Sequence, residues 1–337
     1  MRYSSALFGI NRANSKSTMA TVDQYINAAT RDNTRKSYQS AIEHFEVQWG
    51  GFLPATADSI ARYLADYAEV LAINTLKLRL AAIAQWHLEQ GFPDPTKSPI
   101  VKKVMKGIQA LHPSRTQQAK PLAISQLECI DGWLAQQLED SVGGEKQLRI
   151  LRNRAILLLG FWRGFRSDEL SRLQTQHLII QPNEGITLYL PQTKTQHGGI
   201  TYKVPALKRF CPVHACAIWV QMAGMTEGPL FPAINRWGAL GKASMHPTSF
   251  ILILRRILSD AGLENAGSFS SHSLRRGFAN WAASSGWDLK TMMEYIGWKD
   301  IRSAMRYIDS DSDPFLTLRS TLPHPEKGAM IANESSN

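Results

Sequence analysis

The sequence predicts a mainly α protein of two domains: an all-helical N-terminal domain, then a mixed α/β, mostly helical domain that holds a small β-sheet or hairpin. Three observations carry this reading. Apolar residues recur at helical spacing from Thr21 to about Leu111, with no strand pattern among them. A polar stretch with a proline near each end, His112–Pro121, then interrupts the periodicity. Beyond it helical patterning returns, broken by two alternating segments, ITLYLPQ and ITYKVP. A chain of 337 residues is also long enough for two cores, at roughly 100–200 residues per domain.

Residues 1–20, rich in Ser, Asn and Arg, read as a flexible arm. The N-terminal domain spans 21–111. Asn33-Thr34 offers a cap for a helix through Trp49, which Gly50-Gly51 stops. Thr56 to Ser59 starts the next helix, SIARYLADYAEVL, with Ile60, Tyr63, Leu64 and Tyr67 on one face. Asn74 caps a third, which ends at Gly91 before Pro93 and Pro95. Pro99 opens a short basic helix, IVKKVMKGIQAL. Residues 112–122 form the linker and 123–322 the second domain. That domain begins with a helix after Ser125 and a strongly apolar one, RNRAILLLGFW. The two alternating segments pair across the turn TKTQHGG as the only clear strand material. Helices follow at Pro212–Met222, Pro247–Ala261, Ser273–Ser285 and Asp288–Ile296. The last apolar segment is PFLTLRSTL, and 323–337 reads as a flexible tail.

Charge narrows the partners. Lys plus Arg number 38 against 28 Asp plus Glu, a formal net charge of +10. A protein this basic has polyanions as its default partner. The surplus is shared: residues 1–120 hold 15 basic and 9 acidic residues, and the remainder hold 23 and 19. Both domains can therefore face the polyanion, as a clamp does. No apolar run reaches about 18 residues, which argues against a membrane span, and the N-terminus has no secretory h-region. Three cysteines cannot all pair within the chain, so a disulfide scaffold is excluded and a reducing, cytoplasmic setting is expected.

Five places in the second domain stand out by their order. Arg166 follows a buried helix through the turn at Gly164. Lys194 sits at the tip of the hairpin, with Lys203 as a competitor on the facing strand. His272 and Arg275 lie three residues apart, on one helical face. Trp298 follows Gly297, and Tyr307 stands nine residues later. Taken singly, each is more often a cap, a core residue or a solvated charge. Together, the Arg…Lys…His-x-x-Arg…Trp…Tyr series resembles the tyrosine recombinase (phage integrase) family. The spacing from His-x-x-Arg to Trp to Tyr, and Trp where many members have His, look most like the Cre-type site-specific recombinases. The likeness covers nearly the whole chain and implies an N-terminal core-binding domain of SAM-like fold ahead of the tyrosine recombinase catalytic domain.

The resemblance implies a site-specific DNA recombinase that cleaves and rejoins duplex DNA through a 3′-phosphotyrosine, by way of a Holliday junction, without metal, ATP or cofactor. The residue types suit that chemistry. Arg166 and Arg275 can hold a phosphate in bidentate fashion and stay charged at physiological pH. Tyr307 is implied as nucleophile, His272 as the group that manages its proton and Lys194 as general acid for the 5′-oxygen. Trp298 offers an indole N–H and a flat surface behind the tyrosine. Glu169, three residues after Arg166, is implied to orient His272 or an arginine. Other outcomes of the same chemistry stay open, a type IB topoisomerase-like or telomere-resolving enzyme, as does a catalytically silent DNA-binding regulator. Cys211, His214 and Cys216 superficially suggest a metal site, but without a fourth ligand or a second pair they read as the start of a packed helix.

The implied partner is double-stranded DNA with a specific target site. Candidate contacts lie on three helices of the N-terminal domain: Arg35, Lys36 and Gln39; Lys77 and Arg79; Lys102, Lys103 and Lys106. The family works as a homo-tetramer on synapsed DNA, and Pro314–Leu318 is the candidate for the C-terminal helix that docks on a neighbouring subunit. A bacterial or phage-encoded, nucleoid-associated protein is implied.

Overall fold

The computed structural model describes residues 32–113, 118–141, 143–191 and 199–305, together with Tyr25 and Tyr307. The chain divides into two compact units, 1–117 and 118–337. The predicted arm, the tail and the segment Pro314–Leu318 lie outside the described residues.

In the first unit, α1 (Asp32–Glu43) runs on into a wider π turn, His44–Gln48, and the chain leaves it through Gly50 at φ +78°. Helix α2 (Ala57–Asp66) starts where Thr56 Oγ1 accepts the Ser59 N–H at 3.1 Å. Helices α3 (Ile73–Glu89) and α4 (Pro99–Leu111) complete the unit. Its core is Phe45, Ile60, Tyr63, Leu64, Leu76, Ile83, Val101 and Met105, where α1 packs on α3 and α2 on α4. Three expectations need correcting. Asn33 and Thr34, expected to cap α1, lie inside that helix, which is already formed at Asp32. Helix α2 stops at Asp66 instead of reaching Leu71. Tyr67 leaves the helix yet keeps its ring on His44, 4.6 Å between centroids, so the apolar period outlasts the helix. Asn74 lies inside the first turn of α3, and Ala72, which makes no side-chain bond, holds the cap position.

The second unit is built around α6 (Gly144–Arg163), whose residues from Ile150 on are mostly buried. Helices α5 (Ile124–Glu139), α8 (Pro212–Met222) and α10 (Ser271–Ser284) pack against it. Helix α7 (Ser167–Arg172) follows α6 closely and α9 (Pro247–Asp260) packs on it. Strands β1 (Leu178–Gln181), β2 (Gly185–Leu190) and β3 (Ile200–Pro205) form an antiparallel sheet in which Leu188 pairs with Tyr202. Alternate residues Ile186, Leu188 and Leu190 enter the core. A second hairpin joins β4 (Pro232–Ile234) and β5 (Leu240–Ser244), and α11 (Leu289–Ile296) and α12 (Ile301–Met305) close the described chain. The sequence showed only β2 and β3. Strand β1 is four residues long and turns the apolar Ile179 outward, so its alternation of burial does not show in the sequence, and β5 is almost wholly exposed. Cys211 caps α8, its Sγ accepting the His214 N–H at 3.4 Å.

The end of the predicted linker belongs to the second unit. Leu122 is wholly buried and its N–H donates to the Ser273 carbonyl at 3.0 Å. This docking requires a glycine. A Cβ on Gly277 would stand 2.0 Å from the Leu122 carbonyl oxygen and 2.9 Å from the Phe161 ring. Backbone cannot yield as a side-chain tip can, so Gly277→Ala is expected to lower the unfolding free energy by about 1–3 kcal/mol. Urea denaturation followed by circular dichroism measures it, and an unchanged midpoint would contradict this packing.

Candidate active site

The site is assembled from three chain ends of the second unit. The first is the end of α6. Gly164 takes the left-handed conformation, φ +62°, and ends the helix, which puts Arg166 at the N-cap of α7. Glu169, three residues on, reaches back to Arg166 twice. Its Oε2 accepts the Arg166 backbone N–H at 2.8 Å, and its Oε1 accepts from Arg166 Nη1 at 2.7 Å. One carboxylate thus fixes both the turn and the guanidinium.

The second is the start of α10. Ser270 caps it, accepting the His272 N–H at 3.2 Å, while Ser273 Oγ accepts the Ser270 N–H at 2.9 Å. The helix therefore begins two residues earlier than expected, with His272 and Arg275 in its first two turns. Ser271 Oγ and Ser167 Oγ are 3.4 Å apart, joining the starts of α10 and α7.

Arg275 is the buried centre, its side chain 1% exposed. Nη1 donates to the Gly164 carbonyl at 2.6 Å and Nη2 to the Ile296 carbonyl at 3.2 Å. Those oxygens lie at the C-terminal ends of α6 and α11, where helix dipoles concentrate negative charge. Glu169 Oε2 is 3.9 Å away and Nε has no hydrogen-bond partner among the described residues. Burial, and then the like charge of Arg166, push the Arg275 guanidinium down to about 10, so it stays a cation at neutral pH. The fork that the sequence suggests as a free bidentate clamp is already partly engaged. Two of its five N–H groups donate to backbone carbonyls.

The third is the chain after α11. Gly297, φ +78°, ends that helix and Trp298 turns back into the core, 6% exposed. Its ring centroid stands 5.3 Å from that of Tyr307, and its Nε1 is buried without a hydrogen-bond partner among the described residues. The Tyr307 hydroxyl lies 2.8 Å from His272 Nδ1, and the Arg275 guanidinium carbon is 5.7 Å from the tyrosine ring. With His272 neutral and its proton on Nε2, Nδ1 accepts from the phenol.

The structure thus brings together Arg166, Glu169, His272, Arg275, Trp298 and Tyr307, with Glu169 facing the two arginines. Lys194 lies outside the described residues, and Lys203 is exposed on β3. Sequence reasoning missed the carbonyls of Gly164 and Ile296 and the serine pair Ser167 and Ser271. A backbone acceptor leaves no side-chain signature, and single serines are too common to signal. In the first unit, Arg35, Lys36, Gln39, Lys77, Lys102, Lys103 and Lys106 are exposed. Arg79 is half-buried and committed inward: its Nη1 donates to the Ser40 carbonyl at 2.7 Å, and its charge adds to burial in lowering the His44 imidazole. Among the described residues no cluster of His, Cys, Asp and Glu is arranged to hold a metal ion, and no helix is long and apolar enough to cross a membrane.

Comparison with known proteins bears on the family and the fold. The family model described as "Phage integrase family" matches residues 134–313. An integrase/recombinase XerD homolog of Selenomonas ruminantium is 31% identical over 291 residues, covering 82% of each chain. The recombinase Cre of Escherichia phage P1 is 22% identical over 283 residues, covering 79% of this chain and 80% of Cre. Among solved structures, the XerH site-specific recombinase in a post-cleavage complex with a palindromic difH substrate superposes with a TM-score of 0.60 at 17% identity, covering 85% of this chain and 79% of that one. A λ integrase fragment bound to a COC′ core site gives 0.56 at 17% identity, covering 88% and 96%. At these identities the solved structures speak for the fold.

Glu169 is 5% exposed at its side chain and is the carboxylate that meets both arginines. Glu169→Gln keeps the shape and removes the charge, leaving Arg275 buried with carbonyl dipoles and the Trp298 and Tyr307 rings in place of a carboxylate. Removal of one partner from a buried pair costs about 3 kcal/mol or more. Guanidinium denaturation should show a loss of that size at pH 7, and a loss under about 1 kcal/mol would contradict the role given to this carboxylate.

Proposed function

The chain belongs to the phage integrase family, the tyrosine recombinases, and on that premise we propose that it cuts and rejoins duplex DNA at a specific site through a covalent 3′-phosphotyrosine. The observation that carries the reading is the 2.8 Å contact between the Tyr307 hydroxyl and His272 Nδ1, with the buried Arg275 cation beside the same ring. A phenol ionises near pH 10 in water and is a weak nucleophile at pH 7. A base on its oxygen and a fixed positive charge nearby both favour attack.

In the first step the Tyr307 oxygen attacks the scissile phosphorus, the phenolic proton passes to His272, and the bond from phosphorus to the 5′-oxygen breaks. Arg166, the unused N–H groups of Arg275 and the Trp298 indole N–H donate to the non-bridging oxygens. Their hold tightens as charge builds in the pentavalent transition state, so they raise rate as well as affinity. The guanidiniums thereby supply the charge neutralisation that phosphoryl transfer needs, without a metal. The departing 5′-oxygen takes a proton, for which Lys194 is the candidate donor. The phosphotyrosine keeps the energy of the broken bond. A 5′-hydroxyl from a second duplex then attacks it, returns the tyrosine and seals the exchanged strand without ATP. Two such rounds, through a Holliday junction, recombine two sites.

The solved relatives that contain DNA support a duplex as partner. The exposed cations Lys77, Lys102, Lys103 and Lys106 are suited to its phosphates. Synapsis of two duplexes calls for four copies of the chain, with Pro314–Leu318 as the docking segment. Relatives from a bacterium and a phage support a place on bacterial DNA.

The test begins with a duplex selected by the protein from a randomised pool. That site is rebuilt as a suicide substrate, nicked beside the scissile phosphate so that the released fragment diffuses away. The wild-type protein is expected to trap a covalent adduct on the 3′ side and Tyr307→Phe none. An adduct that persists in Tyr307→Phe would overturn the mechanism. Two copies of the site on one plasmid should recombine, whereas relaxation without recombination would favour a topoisomerase-like enzyme.

A further inference from the structure

Arg163, the last residue of α6, is a buried cation that the chemistry above does not use. It is 6% exposed, and its Nε and Nη1 have no hydrogen-bond partner among the described residues. The guanidinium lies instead between two aromatic rings, its carbon 4.6 Å from the Tyr202 centroid and 4.4 Å from that of Tyr295. Burial holds Arg163 below the ordinary arginine range, opposed by Tyr295, Tyr202 and Glu169. Burial also pushes both phenols up, so the rings are neutral and offer their π faces to the cation.

Such a group is a poor choice for packing alone, because a methionine would fill the volume without desolvating a charge. Its position in the chain explains it better. Arg163 immediately precedes Gly164, whose carbonyl accepts from Arg275 Nη1, and Tyr295 immediately precedes Ile296, whose carbonyl accepts from Nη2. The contact between Arg163 and Tyr295 therefore ties together, one residue upstream on each side, the two helix ends that hold Arg275. Tyr202 adds the sheet to the same clamp, packing edge-on against Phe165 at 5.0 Å between centroids.

We infer that Arg163 is a positioning residue for the reaction: by clamping Tyr295 and Tyr202 it sets the spacing of the Gly164 and Ile296 carbonyls, and so aims Arg275 at the scissile phosphate. The inference rests on the reading of Arg275 as a phosphate ligand. A shift of a fraction of an ångström at either carbonyl is transmitted to a guanidinium that touches both. Arg163 itself touches neither DNA nor the tyrosine in this scheme.

A four-cornered cycle tests it, using single-turnover adduct formation by the full chain on the selected suicide duplex. Arg163→Met is expected to slow cleavage on the order of 10- to 100-fold while leaving duplex affinity unchanged. Arg163→Lys, which keeps the cation, should recover part of the rate. In an Arg275→Ala background Arg163→Met should cost nothing further, because the group it aims is gone. Should Arg163→Met fail to fold, Tyr295→Leu removes one face of the clamp and is expected to show the same dependence on Arg275. An equal slowing by Arg163→Met or Tyr295→Leu with and without Arg275 would overturn the inference, since a merely structural role is indifferent to that background. If instead Arg275→Ala cleaves at the wild-type rate, the underlying reading of the site fails and not the clamp alone.

Discussion

A permanent charge buried at Arg275 is the constraint around which the catalytic unit is arranged. A guanidinium cannot readily escape desolvation by releasing its proton, as a buried carboxylate escapes by gaining one. Even with burial pushing it down to about 10, Arg275 is charged at pH 7. The fold must therefore supply negative potential, and it does so from three directions. Glu169 brings a full charge, while the carbonyls of Gly164 and Ile296 bring the negative ends of two helices. Left-handed glycines terminate both helices at the right residue, Gly164 at φ +62° and Gly297 at φ +78°.

This arrangement explains why the elements meet where they do. Helix α6 must be buried over most of its length so that its end can present a carbonyl inside the protein. Helix α10 must begin at Ser271, capped by Ser270, so that Arg275 reaches inward while His272 stays exposed beside Tyr307. Close approach of α10 to the chain at Leu122 depends on Gly277. Glu169 couples this interior to the more exposed Arg166, so the two arginines share one counter-charge. Two guanidiniums around a single carboxylate leave the pocket short of negative charge. A phosphate diester is the kind of ligand that corrects the imbalance.

Much of this was legible in the sequence, for a physical reason. Side chains that do chemistry are of distinct types, and their order along the chain survived every uncertainty about boundaries. Order and spacing alone group Arg166, His272, Arg275, Trp298 and Tyr307. Helix starts at Thr56, Pro99 and Pro212 were equally plain, because capping residues and N-terminal prolines act locally. What stayed hidden depends on distant partners. The carbonyls under Arg275 are backbone atoms with no signature of their own. Strand β5 is exposed and lacks alternation, and Tyr67 keeps the helical period after its helix has ended. Arg163 reads as an ordinary basic residue at a helix C-terminus until Tyr202 and Tyr295 are seen on its two faces.

The most direct measurement neutralises the ligand instead of the protein. A methylphosphonate at the scissile position of the selected duplex removes the phosphate charge while leaving a phosphorus for Tyr307 to attack. If the buried cation exists to meet that charge, Arg275→Ala should lose on the order of 100-fold or more in single-turnover cleavage of the ordinary diester. On the methylphosphonate the same variant should come close to the wild-type rate. An equal loss on both substrates would contradict the account, because Arg275 would then be holding the protein together and not the transition state.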